Sequence, residues 1–189
     1  MKKLKAKLYH QKRGAFFLKY FLILALTIVI GFIITGLTLM TFVLNYSKQE
    51  TLSDLSKNSI AISNYTEEIL CSDLSLQNPE AVALLFYNNL QITADASNTM
   101  VFMCDDKGDI IACDDALKKP YETVRNAVCD EHKAIHIPKA FINKAEVIGY
   151  ADYTTLGSVF PDTHAVAISP IKIDQQIMGF TVCVKPISG

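Results

Sequence analysis

The segment Phe21–Leu44 sets the terms for this chain: 24 consecutive residues without a single charge. Wound as an α-helix at ~1.5 Å per residue it extends ~36 Å, enough to cross a ~30 Å hydrocarbon layer with room to tilt. A core helix of a small domain does not run this long without a charge, so the segment reads as a transmembrane helix and the bilayer as the chain's first partner. Half of the 189 residues are hydrophobic, and this run is the source of the excess.

Charge orients the span. Lys2, Lys3, Lys5, Lys7, Lys12, Arg13 and Lys19 precede it, and the first acidic residue is Glu50. Lysine and arginine flanking a span stay on the cytoplasmic side, which predicts an inside N-terminus and an outer remainder. The seven leading cations leave 11 of the 18 Lys and Arg beyond residue 47, against all 19 Asp and Glu, a net charge of −8. That acidic surface argues against nucleic acid and anionic lipid as partners of the outer part. The run is too long for a cleaved signal peptide, and "VLNYSKQ" after it offers no A-x-A site. The expected organisation is a basic cytoplasmic tail over 1–20, a membrane helix over 21–44 and an extracytoplasmic domain over 45–189.

The outer part opens with a stretch free of proline and glycine, a helix expected from about Lys48 to Cys71. Leu52, Leu55, Ser59, Ile62, Thr66 and Ile69 fall three and four apart, the seam of a heptad. This stripe suits either packing on the domain's own sheet or pairing with a second copy in a homodimer. Asn78 and Pro79 then provide the N-cap and first position of a second helix, with Ala81, Leu84, Leu85, Asn88 and Ile92 on one face and an end near Asp95. Met100–Cys104 and Ile110–Cys113 flank "DDKGD", a hairpin signal with Gly108 at the position needing positive φ. Tyr121–Val128 reads as a short helix, 129–143 as irregular, "EVIGYADYTTLG" as a strand. "HAVAISPIKIDQQIMGFTVCVKPI" reads as a second hairpin with Val166, Ile168, Met178 and Val182 in the core. Five antiparallel strands mixed with helices give an α+β fold.

Enzyme and cofactor fingerprints are missing: there is no G-x-S-x-G, P-loop, H-E-x-x-H or glycine-rich dinucleotide turn, so no catalytic residue and no cofactor is assigned. The neighbouring carboxylates Asp105/Asp106 and Asp114/Asp115 point apart in a turn or strand and read as solvated. The five cysteines, Cys71, Cys104, Cys113, Cys129 and Cys183, all follow the span. A Cys113–Cys129 disulfide would close a loop of 15 intervening residues, worth ~3 kcal/mol on the loop-entropy model; Cys104 with Cys113 across the hairpin is the rival. "CDEHKAIH" adds a third option, with Cys129, His132 and His136 as metal ligands and Cys113 as a fourth. The long segment 114–163 is where a small ligand is expected, through Tyr121, Arg125, His132, Tyr150, Asp152 and Tyr153.

The ordered set of features resembles a known family. The hairpin turn with Asp105 and Gly108, the strand ending Cys113-Asp114, Cys129 and His132 as Cys-x-x-His, then Ile137-Pro138, "TTLGSV", and a last hairpin with Pro170 and Gly179 are similar to the extracytoplasmic sensor region of bacterial membrane histidine kinases. The likeness is to the single-Cache, PAS-like type of Gram-positive bacteria, over about residues 15–189. It implies a sensor domain answering an unknown small molecule or envelope signal, dimeric, with a bias passed through the Lys48–Cys71 helix to the membrane. In that family a second membrane helix, a HAMP linker and kinase modules follow. None lies within the 189 residues, so the expectation is the input piece of a longer kinase; the same ectodomain on a chemoreceptor or a cyclic-dinucleotide enzyme, and a non-catalytic envelope protein, are the alternatives.

Overall fold

The structure, a computed structural model, describes residues 2–72, 78–117, 128–129, 132–156 and 160–187. The chain divides into two compact units, residues 1–48 and 49–189. The described residues of the first all belong to helix α1, Lys2–Cys71. This helix contains a window long and apolar enough to cross a membrane, with none of that window buried in the protein. The threonines inside the apolar run satisfy their hydroxyls within the helix: Thr27, Thr35 and Thr38 each donate at 2.8 Å to the carbonyl four residues back. Their hydroxyl protons are thus bonded inside the helix, as a hydrocarbon environment would require.

The second unit is α+β. The last part of α1 is followed by α2 (Pro79–Ser97), β1 (Met100–Cys104), β2 (Ile110–Cys113), a 3-10 turn at Asp114–Leu117, α3 (Lys139–Ile148), β3 (Tyr150–Leu156), β4 (Phe160–Ile173) and β5 (Gln176–Pro186). The five strands form one antiparallel sheet in the order β2-β1-β5-β4-β3. The connection from β2 to β3 therefore runs from one edge of the sheet to the other, and it carries α3 across one face. Ile135, Ile137, Ile142 and Ala145 of this covering segment pack with Phe102, Val166, Ile168, Phe180, Val182 and Val184. On the opposite face, Leu55 and Ile62 of α1 and Leu90 and Ala94 of α2 pack with Val101, Met103, Ala165, Ala167 and Cys183.

The heptad stripe of α1 is used here on the sheet. Leu55, Ser59, Ile62 and Thr66 are all buried, and the polar positions have partners. Ser59 Oγ lies 2.7 Å from Ser169 Oγ, and Ser63 donates to the Ser169 carbonyl and to Thr181 Oγ1. Hydroxyls in an apolar seam cost stability unless they are bonded, and these are. In α2, Asn78 caps the first turn by accepting from the Ala81 amide at 3.2 Å. The helix runs to Ser97, two residues past the expected end, where Asn98 takes a left-handed φ of 49°. Its inward face differs from the one expected: Val82, Leu90 and Ala94 are buried, while Leu84, Leu85 and Ile92 are exposed. A helix apolar nearly all round does not betray its core side by spacing.

Three further expectations are corrected. Residues 139–148, read as irregular and strand, form α3; Pro138 supplies an extended N-cap and Gly149, at φ 85°, ends the helix just before β3. Met178 is exposed rather than in the core, because it is the extra residue where the β4–β5 register shifts between Ile171↔Gly179 and Lys172↔Ile177. A bulge leaves one residue unpaired and turns its side chain away. Asp114 is buried rather than solvated, and its Oδ1 accepts the Val101 amide at 3.1 Å. The expected helix over 121–128 falls almost wholly outside the described residues.

Candidate functional site

The β1–β2 hairpin is built around Asp105 and Gly108. Asp105 Oδ1 accepts from the amides of Lys107 and Asp109, both at 2.9 Å, and so shapes the turn. Burial opposes ionisation of Asp105, but the amides of Asp109, Lys107 and Gly108, with the Lys107 charge, hold its carboxyl below the usual value. Gly108 sits at φ 98°, and a Cβ there would stand 2.3 Å from the Ile137 carbonyl oxygen. The close approach is a clasp: the Ile137 amide donates to the Gly108 carbonyl at 2.8 Å, and Asp109 forms a β-bridge with His136. The covering segment is thereby fastened to the hairpin tip.

The hairpin register sets where Cys104 and Cys113 lie. Cys104 lies opposite Ile110, and Cys113 opposite Phe102, with a shift between Met103 and Cys104. The rival Cys104–Cys113 pairing is therefore not between facing residues: Cys113 faces Phe102, two positions before Cys104 on β1. Cys113 Sγ lies 3.6 Å from Cys129 Sγ. The Cys129 amide donates to Cys113 Sγ at 3.4 Å, and Cys129 Sγ is 3.1 Å from His132 Nδ1. His132 is buried, its ring edge-on to Phe102 with centroids 4.8 Å apart, and its Nδ1 is 3.8 Å from Asp115 Oδ2. The donor atoms of Cys113, Cys129 and His132 all lie within 4.8 Å of one another. His136 does not join them; its Nδ1 is 2.9 Å from Asp109 Oδ1, on the exposed side of the clasp.

Burial governs the other thiols. It pushes Cys104 up to about 12, helped by the Asp105 charge, and Cys183 up to about 12, helped by Asp114. Burial likewise raises Cys113 to about 11. Burial of Cys104 and Cys183 away from any cation favours the neutral thiol at both.

The remaining candidates are spread out. Tyr150 packs against the core face that α3 covers, donates to Asp152 Oδ2 at 3.1 Å, and lies 4.9 Å beneath Lys144 Nζ. Tyr153, on the other side of the strand, packs with the helix-side core. Tyr121 and Arg125 lie outside the described residues.

A cleft of about 380 Å³ opens on the helix side of the sheet. Thr66, Ile69 and Leu70 of α1, Val82, Phe86 and Tyr87 of α2, and Met103 and Ile111 of the hairpin are among its walls. None of His132, Tyr150, Asp152 and Tyr153 lines it. Sequence reading missed this cavity because "LLFYNNL" offered Leu84 and Leu85 as core while the helix turns Phe86 and Tyr87 inward. The one available signal was the adjacent aromatic pair beside a helical seam that held threonine.

No family model matches the chain, and no curated protein matches it. Among solved structures it is similar to the sensor domain of the V. cholerae histidine kinase DctB, at 16% identity and a TM-score of 0.43, over 79% of this chain and 58% of that one. It is also similar to the ligand-binding domain of the Campylobacter jejuni chemoreceptor Tlp3 in complex with 4-methylisoleucine, at 13% identity and a TM-score of 0.49, over 75% of this chain and 55% of that one. The chain spans little more than half the length of the solved structures it matches.

Proposed function

We propose that this chain is the input region of a membrane sensor, with an inside N-terminus, a single span at 21–44 and residues 45–189 outside, working as a homodimer. The observation that carries the reading is the cleft on the helix side of the sheet. One of its walls is α1, the same helix that holds the membrane-spanning run. A small molecule seated against Thr66, Ile69 and Leu70 touches the element through which a signal must leave the domain. To act, it needs only a difference in affinity between two settings of that helix, and 1–3 kcal/mol is the usual size of such coupling. The cleft is apolar with a few polar groups, Thr66 and Tyr87 among them, as small-molecule sites are.

The finer reading is a two-component histidine kinase of the Gram-positive single-Cache type, supported by the ordered motifs around Asp105, Gly108, Cys113, Cys129, His132 and Pro138. A chemoreceptor, a cyclic-dinucleotide enzyme or a non-catalytic envelope protein would use the same ectodomain differently. The test is thermal unfolding of the detergent-solubilised chain against a panel of small apolar and amphipathic metabolites. A ligand at 100 times its Kd adds about 2.7 kcal/mol to stability, and Ala83→Trp, at a position on α2 that also lines the cleft, should fill it and abolish the rise in Tm. A panel without any stabilising compound, together with domain variants that leave signalling output unchanged, would sink the proposal.

A further inference from the structure

We propose that Cys113, Cys129 and His132 form a three-ligand binding site for a thiophilic divalent metal of the zinc class, leaving the fourth position of a tetrahedral ion to water. In a tetrahedral site with Zn–S of ~2.3 Å and Zn–N of ~2.0–2.1 Å, two sulfurs stand ~3.8 Å apart and sulfur stands ~3.5 Å from nitrogen. The two sulfurs here are 3.6 Å apart, and Cys129 Sγ is 3.1 Å from His132 Nδ1. Seating the ion needs the imidazole to withdraw by a few tenths of an ångström, a side-chain adjustment.

The surroundings suit thiolates. The Cys129 amide already points at Cys113 Sγ, the outer-shell hydrogen bond that holds a ligating sulfur in place. Phe102 packs edge-on against His132 and fixes its ring. Asp115 Oδ2, 3.8 Å from the His132 Nδ1, adds negative charge beside the site without joining the three donors. Two sulfurs and one imidazole select zinc-class or softer ions over magnesium or calcium, which take oxygen ligands. Binding displaces the protons of two thiols to solvent as two sulfur–metal bonds form. His136, bonded to Asp109, is excluded.

The site joins the end of β2 to the segment that covers the sheet, two stretches otherwise linked by the hairpin clasp. An ion there would lock that cover. The inference stands whether or not the chain is a sensor.

The test uses the full chain in detergent, reduced, stripped with a chelator and titrated with Zn²⁺ against a chromophoric competitor. One equivalent should bind per chain. Peptide mapping after maleimide labelling should show Zn²⁺ protecting Cys113 and Cys129 while exposed Cys71 stays reactive. This arm needs no variant. Cys129→Ser and His132→Ala should weaken binding by more than the ~10–100-fold that loss of an outer-shell partner costs, whereas His136→Ala should leave it unchanged. Absence of uptake and of protection overturns the proposal. So does a quantitative Cys113–Cys129 disulfide in chain isolated without reductant that, once reduced, still takes up no metal.

Discussion

At Gly108 two independent demands meet. The backbone needs φ 98°, and the space a Cβ would fill is held by the Ile137 carbonyl. Gly108→Ala should therefore cost at least ~2 kcal/mol, combining left-handed strain with a backbone clash, measured as a drop in the urea midpoint of the solubilised chain. Asp105 makes a pH-dependent contribution. Its folded carboxyl titrates below the unfolded value, so between the two values the unfolded chain binds more protons. The stability it contributes is complete above the unfolded pKa of ~3.9 and is lost as pH falls through the folded one. Asp105→Ala should accordingly destabilise at pH 7 and converge on the parent in strong acid; an equal gap at both ends would refute the role. Asp105 and Gly108 were legible in sequence because a D-x-x-G turn encodes both requirements locally. Asp114 was not: its burial depends on the Val101 amide, 13 residues earlier in the chain, reaching its side chain.

Among the elements, α1 shows what a helical stripe does and does not say. Its spacing named Leu52, Leu55, Ser59, Ile62, Thr66 and Ile69 as one face; the middle four are buried, and Leu52 and Ile69 at the ends are half-buried. What they pack against came only with the sheet. Ile62→Ala should cost ~2–4 kcal/mol through the cavity it leaves, whereas Ile60→Ala, with Ile60 41% exposed, should stay within ~0.5 kcal/mol; chemical denaturation of the two variants side by side checks the assignment. The second hairpin was readable from alternation, yet its tip is subtler. Asp174 and Gln175 both take positive φ, at 50° and 65°, the two-residue turn that suits the twist of paired strands. The accompanying register shift is what moves Met178 out of the core.

For the whole molecule, the apolar run dominates. Ile30→Lys places a charge at the middle of the proposed span, which insertion scales put at about +2.5–3.5 kcal/mol for lysine; the variant should lose membrane association in carbonate-washed fractions, and an unchanged membrane pool would count against a span at 21–44. The run, the basic residues before it, the two hairpins and the heptad stripe could all be read from the sequence, because each is a local pattern: a long uncharged segment, a charge asymmetry, a period of two, a period of three and four. The strand order β2-β1-β5-β4-β3, the inward face of α2 and the helix α3 required the tertiary structure, since they are settled by which surfaces find each other. The same holds for the candidate site. Sequence spacing put Cys129 near His132 and His136 alike; only the clasp between the hairpin tip and the covering segment turns His136 toward Asp109 and leaves His132 buried beside Cys113 and Cys129, because a side chain a few residues from a cysteine can be carried to either side of a turn and the long-range packing chooses which.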